Sequence, residues 1–298
     1  MSFVNLNEKN NMIDDIFAKF DGAFAKNTIR AYRSDFKQFQ NWCLQKNQEP
    51  IPATAETMAN YVDYLSLNNK SATIRRRINS LGTVLKLSKN HDPTKDPEVI
   101  LALKRMHRKI GRAQEQATPL TKTLLNQLIN NCDNSIMGTR NQVLLRLGYE
   151  TMRRRSELCA FKFEDIDFAP NGKPIIKLNF SKTDQFGTGK VLPISEELLN
   201  LFGKWKEIVG DEGYILRSMN KHGHIGASLN PASISTILKT LQEGLKTESN
   251  QQPLSGHSFR VGAALDLLEQ GEPLEKIMLR GGWQTDSTAM RYLRNWVF

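Results

Sequence analysis

The chain has 298 residues, with 41 Lys and Arg against 31 Asp and Glu and a formal charge of +10 at neutral pH. That length is too great for one small core and suits two ordinary domains, and the charge makes a polyanion the leading partner, although charge alone fits a generic soluble basic protein or a membrane-surface binder equally, so its distribution decides. Three dispersed cysteines, Cys43, Cys132 and Cys159, form no CxxC or Cys-His cluster, and no apolar run approaches a membrane span; a disulfide scaffold, a zinc module and a helical membrane protein are excluded, and a cytoplasmic protein is expected.

Residues 1–20 begin polar and then carry Ile13, Ile16, Phe17 and Phe20, which reads as an N-terminal arm or short docking helix. From Thr28, apolar residues at Ile29, Tyr32, Phe36, Phe39 and Cys43 recur every three or four positions, predicting a helix with one buried stripe. Pro50 and Pro52 break the chain, and Thr54 is placed to cap a second helix carrying Met58, Tyr61, Val62 and Leu65. Ser71 is read as the cap of a third, with Ile74, Ile78, Leu81 and Leu85 inward; Pro93 and Pro97 end that region, and a fourth helix runs from about Glu98 to Ile110. Helices with no strand between them predict an all-helical domain over residues 21–110.

Charge is concentrated in that domain. Between Lys70 and Arg112 twelve basic residues face three acidic ones, so this stretch carries nine of the ten net charges. On the third helix Arg76 and Thr83 lie opposite the apolar stripe, with Thr73 and Ser80 beside them. A solvated helix face is one reading. The other, favoured by the charge, is a helix entering a DNA groove: Thr73 and Arg76 near base edges, Arg75, Arg77 and Lys86 on phosphates, and Arg105 and Arg108 adding basic surface on the next helix.

Residues 111–118 lack apolar periodicity and read as a linker. Pro119 and Thr121 open a second domain, 119–298, with a helix through Leu124, Leu125, Leu128 and Ile129, then another including Val143, Leu144 and Leu147 and running to Leu158. Alternation over residues 174–180, a polar segment 181–190 and the run Val191 to Ile194 predict a small antiparallel sheet with a hairpin. Helices resume to the C-terminus. The fold class expected is mainly α (α+β): an all-helical N-terminal domain, then a mixed, mostly helical one with a small antiparallel sheet.

The chemistry-bearing residues cluster late. In Gly256-His257-Ser258-Phe259-Arg260 the histidine and arginine share one helical face, and Gly256 suits a helix start, where backbone N–H groups favour anions. Gly281-Gly282-Trp283 follows, with Tyr292 nine residues after the tryptophan. Breaking a phosphodiester without a metal requires a nucleophile, positive charge on the non-bridging oxygens and a proton donor for the leaving oxygen. The chain has no HExxH, EF-hand loop, Walker A sequence or carboxylate cluster with ligand spacing, so no metal or cofactor is expected. A second arginine source is Met152-Arg153-Arg154-Arg155-Ser156-Glu157-Leu158, followed by Asp165-Ile166-Asp167.

Together these segments resemble the tyrosine site-specific recombinases, which include phage and plasmid integrases, over roughly residues 25–298. The family's first catalytic arginine lies in Arg-x-x-Glu-Leu before a short Asp-Ile element, and Arg154 alone has that spacing to Glu157. Arg153 and Arg155 are then neighbours left to DNA backbone or solvent. The hairpin lysine of the family matches Lys182, with Lys190 the competitor; Gly256-His257-x-x-Arg260 and Gly-Gly-Trp283 with Tyr292 match the remaining motifs. Tryptophan at 283, where many members have histidine, places the nearest resemblance in the Cre-like branch.

The resemblance implies that Tyr292 attacks the scissile phosphate to give a 3′-phosphotyrosyl link. Arg154 and Arg260 hold the non-bridging oxygens, Lys182 protonates the leaving 5′-oxygen, His257 assists proton transfer, Trp283 donates its indole N–H and Glu157 orients the arginine. It further implies a core-binding domain and a catalytic domain on duplex DNA with inverted half-sites, and a homotetramer on two paired sites exchanging strands through a Holliday junction. The chain would be nucleoid-associated and of prokaryotic, phage or plasmid origin, its need for accessory DNA-bending proteins open. A type IB topoisomerase-like nicking-closing enzyme and a catalytically silent DNA-binding accessory protein are the alternatives. The short tail Leu293 to Phe298, with Trp296, Val297 and Phe298 apolar, is expected either to pack within its own domain or to plug a neighbour's pocket.

Overall fold

Apolar residues at helical spacing fold the first half of the chain into helices, because only one face of each can be removed from water. The computed structural model describes residues 14–113, 115–179, 189–220, 222–245 and 252–294, and the chain divides into two units, Met1–Glu115 and Gln116–Phe298. Lys182 and Trp296 to Phe298 lie outside the described residues.

The first unit contains a short helix at residues 14–18 (α1), then α2 (Lys26–Gln45), α3 (Ala55–Leu65), α4 (Ser71–Leu87), a 3-10 turn (Pro93–Lys95) and α5 (Pro97–Ile110). Phe36, Phe39, Met58, Tyr61, Ile74, Leu81 and Val99 form its core, and Ile16, Phe17 and Phe20 are buried in the same cluster. Aromatic edges hold α2 to α3, with Phe39 and Tyr61 ring centroids 4.9 Å apart. Thr54 caps α3 as its position predicts, accepting from the Thr57 N–H at 3.0 Å. At the next helix the expectation needs correction: Lys70 occupies the cap position with no side-chain capping bond, and Ser71 is the first helical residue. Pro97 opens α5 behind an Asp96 cap, where its missing N–H costs nothing.

In the second unit α6 (Lys122–Asn130) and α7 (Ile136–Thr151) precede the four-residue α8 (Arg155–Leu158). The single helix expected to run to Leu158 is therefore broken, because Met152 adopts a left-handed conformation, φ 53° and ψ 32°. A 3-10 turn (Phe163–Asp165) leads into β1 (Ile166–Phe168), β2 (Pro174–Leu178) and β3 (Lys190–Pro193), an antiparallel sheet in that order. Ile176 pairs with Ile166 on one side and Leu192 on the other, so the sheet's apolar face meets the core. Helices α9 (Glu196–Val209), α10 (Ser233–Gly244), α11 (Ser258–Glu269), α12 (Leu274–Gly281) and α13 (Asp286–Leu293) complete the unit.

Trp205 is buried in the unit's larger core, its indole N–H donating to the Ile215 carbonyl at 2.7 Å. A smaller core of Met152, Val261, Ala264, Ile277, Trp283, Ala289 and Leu293 joins the ends of α7, α11, α12 and α13. The fold is mainly α with one small antiparallel sheet. Among the described residues no helix is long and apolar enough to cross a membrane.

Candidate active site

The smaller core matters because the chemistry-bearing side chains project from its rim. At Met152 the left-handed turn frees the carbonyl from the helix, and Arg260 Nη1 donates to it at 2.6 Å. Arg154, extended at φ −70°, immediately precedes α8. Glu157 then uses one carboxylate twice: Oε2 accepts the Arg154 backbone N–H at 3.0 Å and Oε1 accepts its guanidinium at 2.9 Å. The three-residue Arg-to-Glu spacing is thus a helix cap and an ion pair in one group. Burial alone would push the Glu157 carboxyl up, but the two Arg154 bonds and the neighbouring charges of Arg154 and Arg153 outweigh it and hold the group below the usual carboxylate range.

Arg153 departs from expectation. It is 2% exposed, so it reaches neither DNA backbone nor solvent; Nε donates to the Thr151 carbonyl at 2.7 Å and Nη2 to the Arg280 carbonyl. Burial first, and then the charge of Arg260, push its guanidinium down to about 10, leaving it charged at neutral pH. It ties the end of α7 to the end of α12. Arg155 turns the other way, exposed, and donates to Ser235 Oγ at 3.1 Å.

His257 stands at the N-cap of α11, one turn before Arg260. Gly256 has a steric role, since a Cβ there would lie 2.2 Å from Arg155 Cγ. Partial burial and the charges of Arg260, Arg155 and Arg154 push the His257 imidazole below its ordinary value, favouring the neutral ring. Arg260 is fully buried, its guanidinium carbon 4.9 Å from the Trp283 ring and 5.4 Å from the Tyr292 ring. Trp283 and Tyr292 lie 4.7 Å apart, tilted by 35°. The Tyr292 phenol lies within reach of the Arg260 guanidinium, while Arg260 Nε and Nη2 and Trp283 Nε1 are buried and make no hydrogen bond of good geometry among the described residues.

The two glycines before Trp283 are explained by these neighbours. A Cβ on Gly281 would meet the Trp283 ring at 2.4 Å; Gly282 has φ +67°, and a Cβ there would lie 2.9 Å from Arg153 Nη1. The structure therefore brings Arg154, Glu157, His257, Arg260, Trp283 and Tyr292 to one rim. Lys190, the competitor of Lys182, opens β3 opposite Leu178. Arg153 was invisible as a buried residue because three consecutive arginines carry no burial pattern.

In the first unit, Arg75, Lys86, Arg105 and Arg108 are exposed, and Thr73 is half-buried. Arg76 is not free: both its Nη atoms bind Asp35, which is 2% exposed. Arg77 is mostly buried with Nε 3.9 Å from the same carboxylate, and Ser80 is buried, donating to the Arg76 carbonyl. Arg76 stays exposed while pairing with Asp35, and Arg77 is drawn inward toward the same carboxylate.

Comparison with known proteins agrees in both units. The model of the phage integrase family matches residues 118–296, and that of the phage integrase N-terminal SAM-like domain matches residues 19–88. The integrase/recombinase XerD homolog of Selenomonas ruminantium is 28% identical over 281 residues, covering 90% of this chain and 82% of that protein. Recombinase Cre of Escherichia phage P1 is 26% identical over 292 residues, covering 92% and 85%. Among solved structures, a lambda integrase dimer bound to a COC′ core site shares the fold with a TM-score of 0.69 at 16% identity, covering 97% of this chain and 98% of that one. With its family match spanning most of the second unit and these relatives spanning both, the chain belongs to the phage integrase family of tyrosine recombinases.

Proposed function

We propose that this recombinase cleaves and rejoins duplex DNA at specific sites, with Tyr292 as nucleophile. The observation that carries the reading is the set of buried, unpartnered donors on Arg260 and Trp283 beside the Tyr292 ring. A buried donor without a partner costs about 1–3 kcal/mol, and a phosphate diester would satisfy these three at once. Arg154 supplies a further guanidinium from the rim, preset by Glu157.

In the proposed step the Tyr292 oxygen bonds to phosphorus, and the bond from phosphorus to the 5′-oxygen breaks. The phenolic proton passes to the neutral His257 ring or to water, and the leaving 5′-oxygen takes a proton from Lys182, the family-matched donor. One phosphodiester is exchanged for another, so a 5′-hydroxyl can reverse the step without ATP. The basic helical unit would supply the duplex grip through Arg75, Lys86, Arg105 and Arg108 on phosphates, with Thr73 and Arg76 toward the bases. Inverted half-sites, each bound by one protomer, and strand exchange through a Holliday junction in a tetramer complete the proposal; lambda integrase has been solved as a tetramer on such a junction.

A nicked suicide duplex tests it. Cleavage then releases a short strand and strands the protein on DNA, giving a denaturant-stable adduct with the wild-type chain and none with Tyr292→Phe. An adduct that survives Tyr292→Phe, or none with either protein, refutes the assignment.

A further inference from the structure

The carboxamide of Gln116 grips the end of the helix that carries Tyr292. Gln116 Nε2 donates to the Tyr292 backbone carbonyl at 2.6 Å, and its Oε1 accepts from Arg294 Nε at 3.3 Å. Tyr292 lies in the last turn of an eight-residue helix, where carbonyls have no partner in the helix itself. Ala289 and Leu293 anchor that helix by burial, while the aromatic ring of Tyr292 rests on Trp283 and Arg260. The backbone of the same residue is held by Gln116.

The residues after Gln116 extend this grip to the other catalytic helix. Ala117 packs against the small core beside Tyr292, and Thr118 Oγ1 donates to the Gln252 carbonyl at 2.9 Å. Leu120 N–H donates to the Ser258 carbonyl at 3.0 Å, in the first turn of α11. Gly262 lies so close that a Cβ would sit 1.9 Å from the Leu120 carbonyl oxygen. One short segment, residues 116–120, therefore touches both the helix presenting His257 and Arg260 and the helix presenting Tyr292. Gln116 is the first residue of the second unit.

We propose that Gln116 is a positioning residue for Tyr292, setting the depth of the phenol against the arginine-lined phosphate site through the Tyr292 carbonyl; this rests on Tyr292 being the nucleophile. Placement errors of about 1 Å in a reacting group cost rate steeply, so the grip should appear in the cleavage step and not in duplex affinity.

Gln116→Glu and Gln116→Leu separate the two arms of the grip. Gln116→Glu keeps the shape and turns the Arg294 contact into an ion pair, but replaces the donor to the carbonyl by a repelling oxygen. Single-turnover adduct formation is measured on the suicide duplex at saturating DNA, alongside thermal melting of the full chain. Both variants are expected to cleave about tenfold more slowly, the scale of one lost hydrogen bond, with the melting temperature of Gln116→Glu no lower than wild type. A purely structural clamp would leave Gln116→Glu as active as wild type, since it holds Arg294 more strongly, and that result overturns the proposal. Rate losses that merely track a falling melting temperature overturn it too. Absence of a Tyr292-dependent adduct with the wild-type chain would instead remove the nucleophile assignment on which the proposal stands.

Discussion

Three arginines and a single carboxylate set the electrostatics around Tyr292. Arg153 and Arg260 are both buried, and Glu157 is the carboxylate that couples to them; in the proposed reaction a bound phosphate diester would add negative charge beside them. Burial first, and then the charges of Arg260, Arg155 and Arg154, lower the His257 pKa from the ordinary 6.5. The sign is definite: a depressed pKa keeps the imidazole neutral, and able to accept a proton, to lower pH than a free histidine. Because kcat/KM reports the groups of the free enzyme, its plateau should persist down through pH 6.5, with the acid limb below that value. Adduct formation measured at subsaturating duplex from about pH 5 to 8 checks this, and His257→Gln should remove that limb while lowering the plateau. An acid limb centred above pH 6.5 would contradict the assignment of a neutral His257 as acceptor.

At the level of elements, the turn between α12 and α13 is fixed by backbone shape. Gly282 combines a left-handed φ of +67° with an approach that would put a Cβ 2.9 Å from Arg153 Nη1. Gly282→Ala should therefore destabilise the chain by about 1–3 kcal/mol, read from denaturant unfolding, and slow cleavage further by displacing Trp283. Such a requirement was legible only as a motif. The helical stripes of α2, α3 and α5 and the hairpin of β2 and β3 could be read directly, because burial of one face imposes a period that the residues display. The break at Met152 could not: a methionine gives no local stop signal, and its left-handed turn is matched by a bond from Arg260, more than a hundred residues away. The inward turn of Arg153 and Arg77 and the pairing of Arg76 were hidden for the same reason, since each depends on partners (two carbonyls, or Asp35) distant in sequence or unmarked as buried. His257, Arg260, Trp283 and Tyr292 were recognisable as a set only through their order in the resemblance to the tyrosine recombinases, since they sit on different elements.

Across the whole molecule, positive charge is spread differently in the two units. The first carries a dense basic stretch, whereas the second gathers Arg153, Arg154 and Arg260 beside one small core. If the exposed cations of the first unit bind phosphates, duplex affinity must fall steeply with salt, because each neutralised phosphate releases counterions and contributes about −0.9 to the slope of log K against log salt. The structure sorts the candidates. Arg108 is exposed, with no ion pair among those found for the described residues, so Arg108→Ala should weaken all duplexes alike and reduce the slope by about one unit. Arg76 is different, since it neutralises the buried Asp35. Arg76→Ala leaves that carboxylate with Arg77 alone, at 3.9 Å, and should cost about 1–3 kcal/mol of stability before any effect on DNA is counted. Fluorescence anisotropy across a salt series, paired with thermal melting, separates the two cases. An unchanged salt slope in Arg108→Ala would remove that residue from the phosphate contacts, and an unchanged melting temperature in Arg76→Ala would show that the Asp35 pair contributes nothing to the helical core.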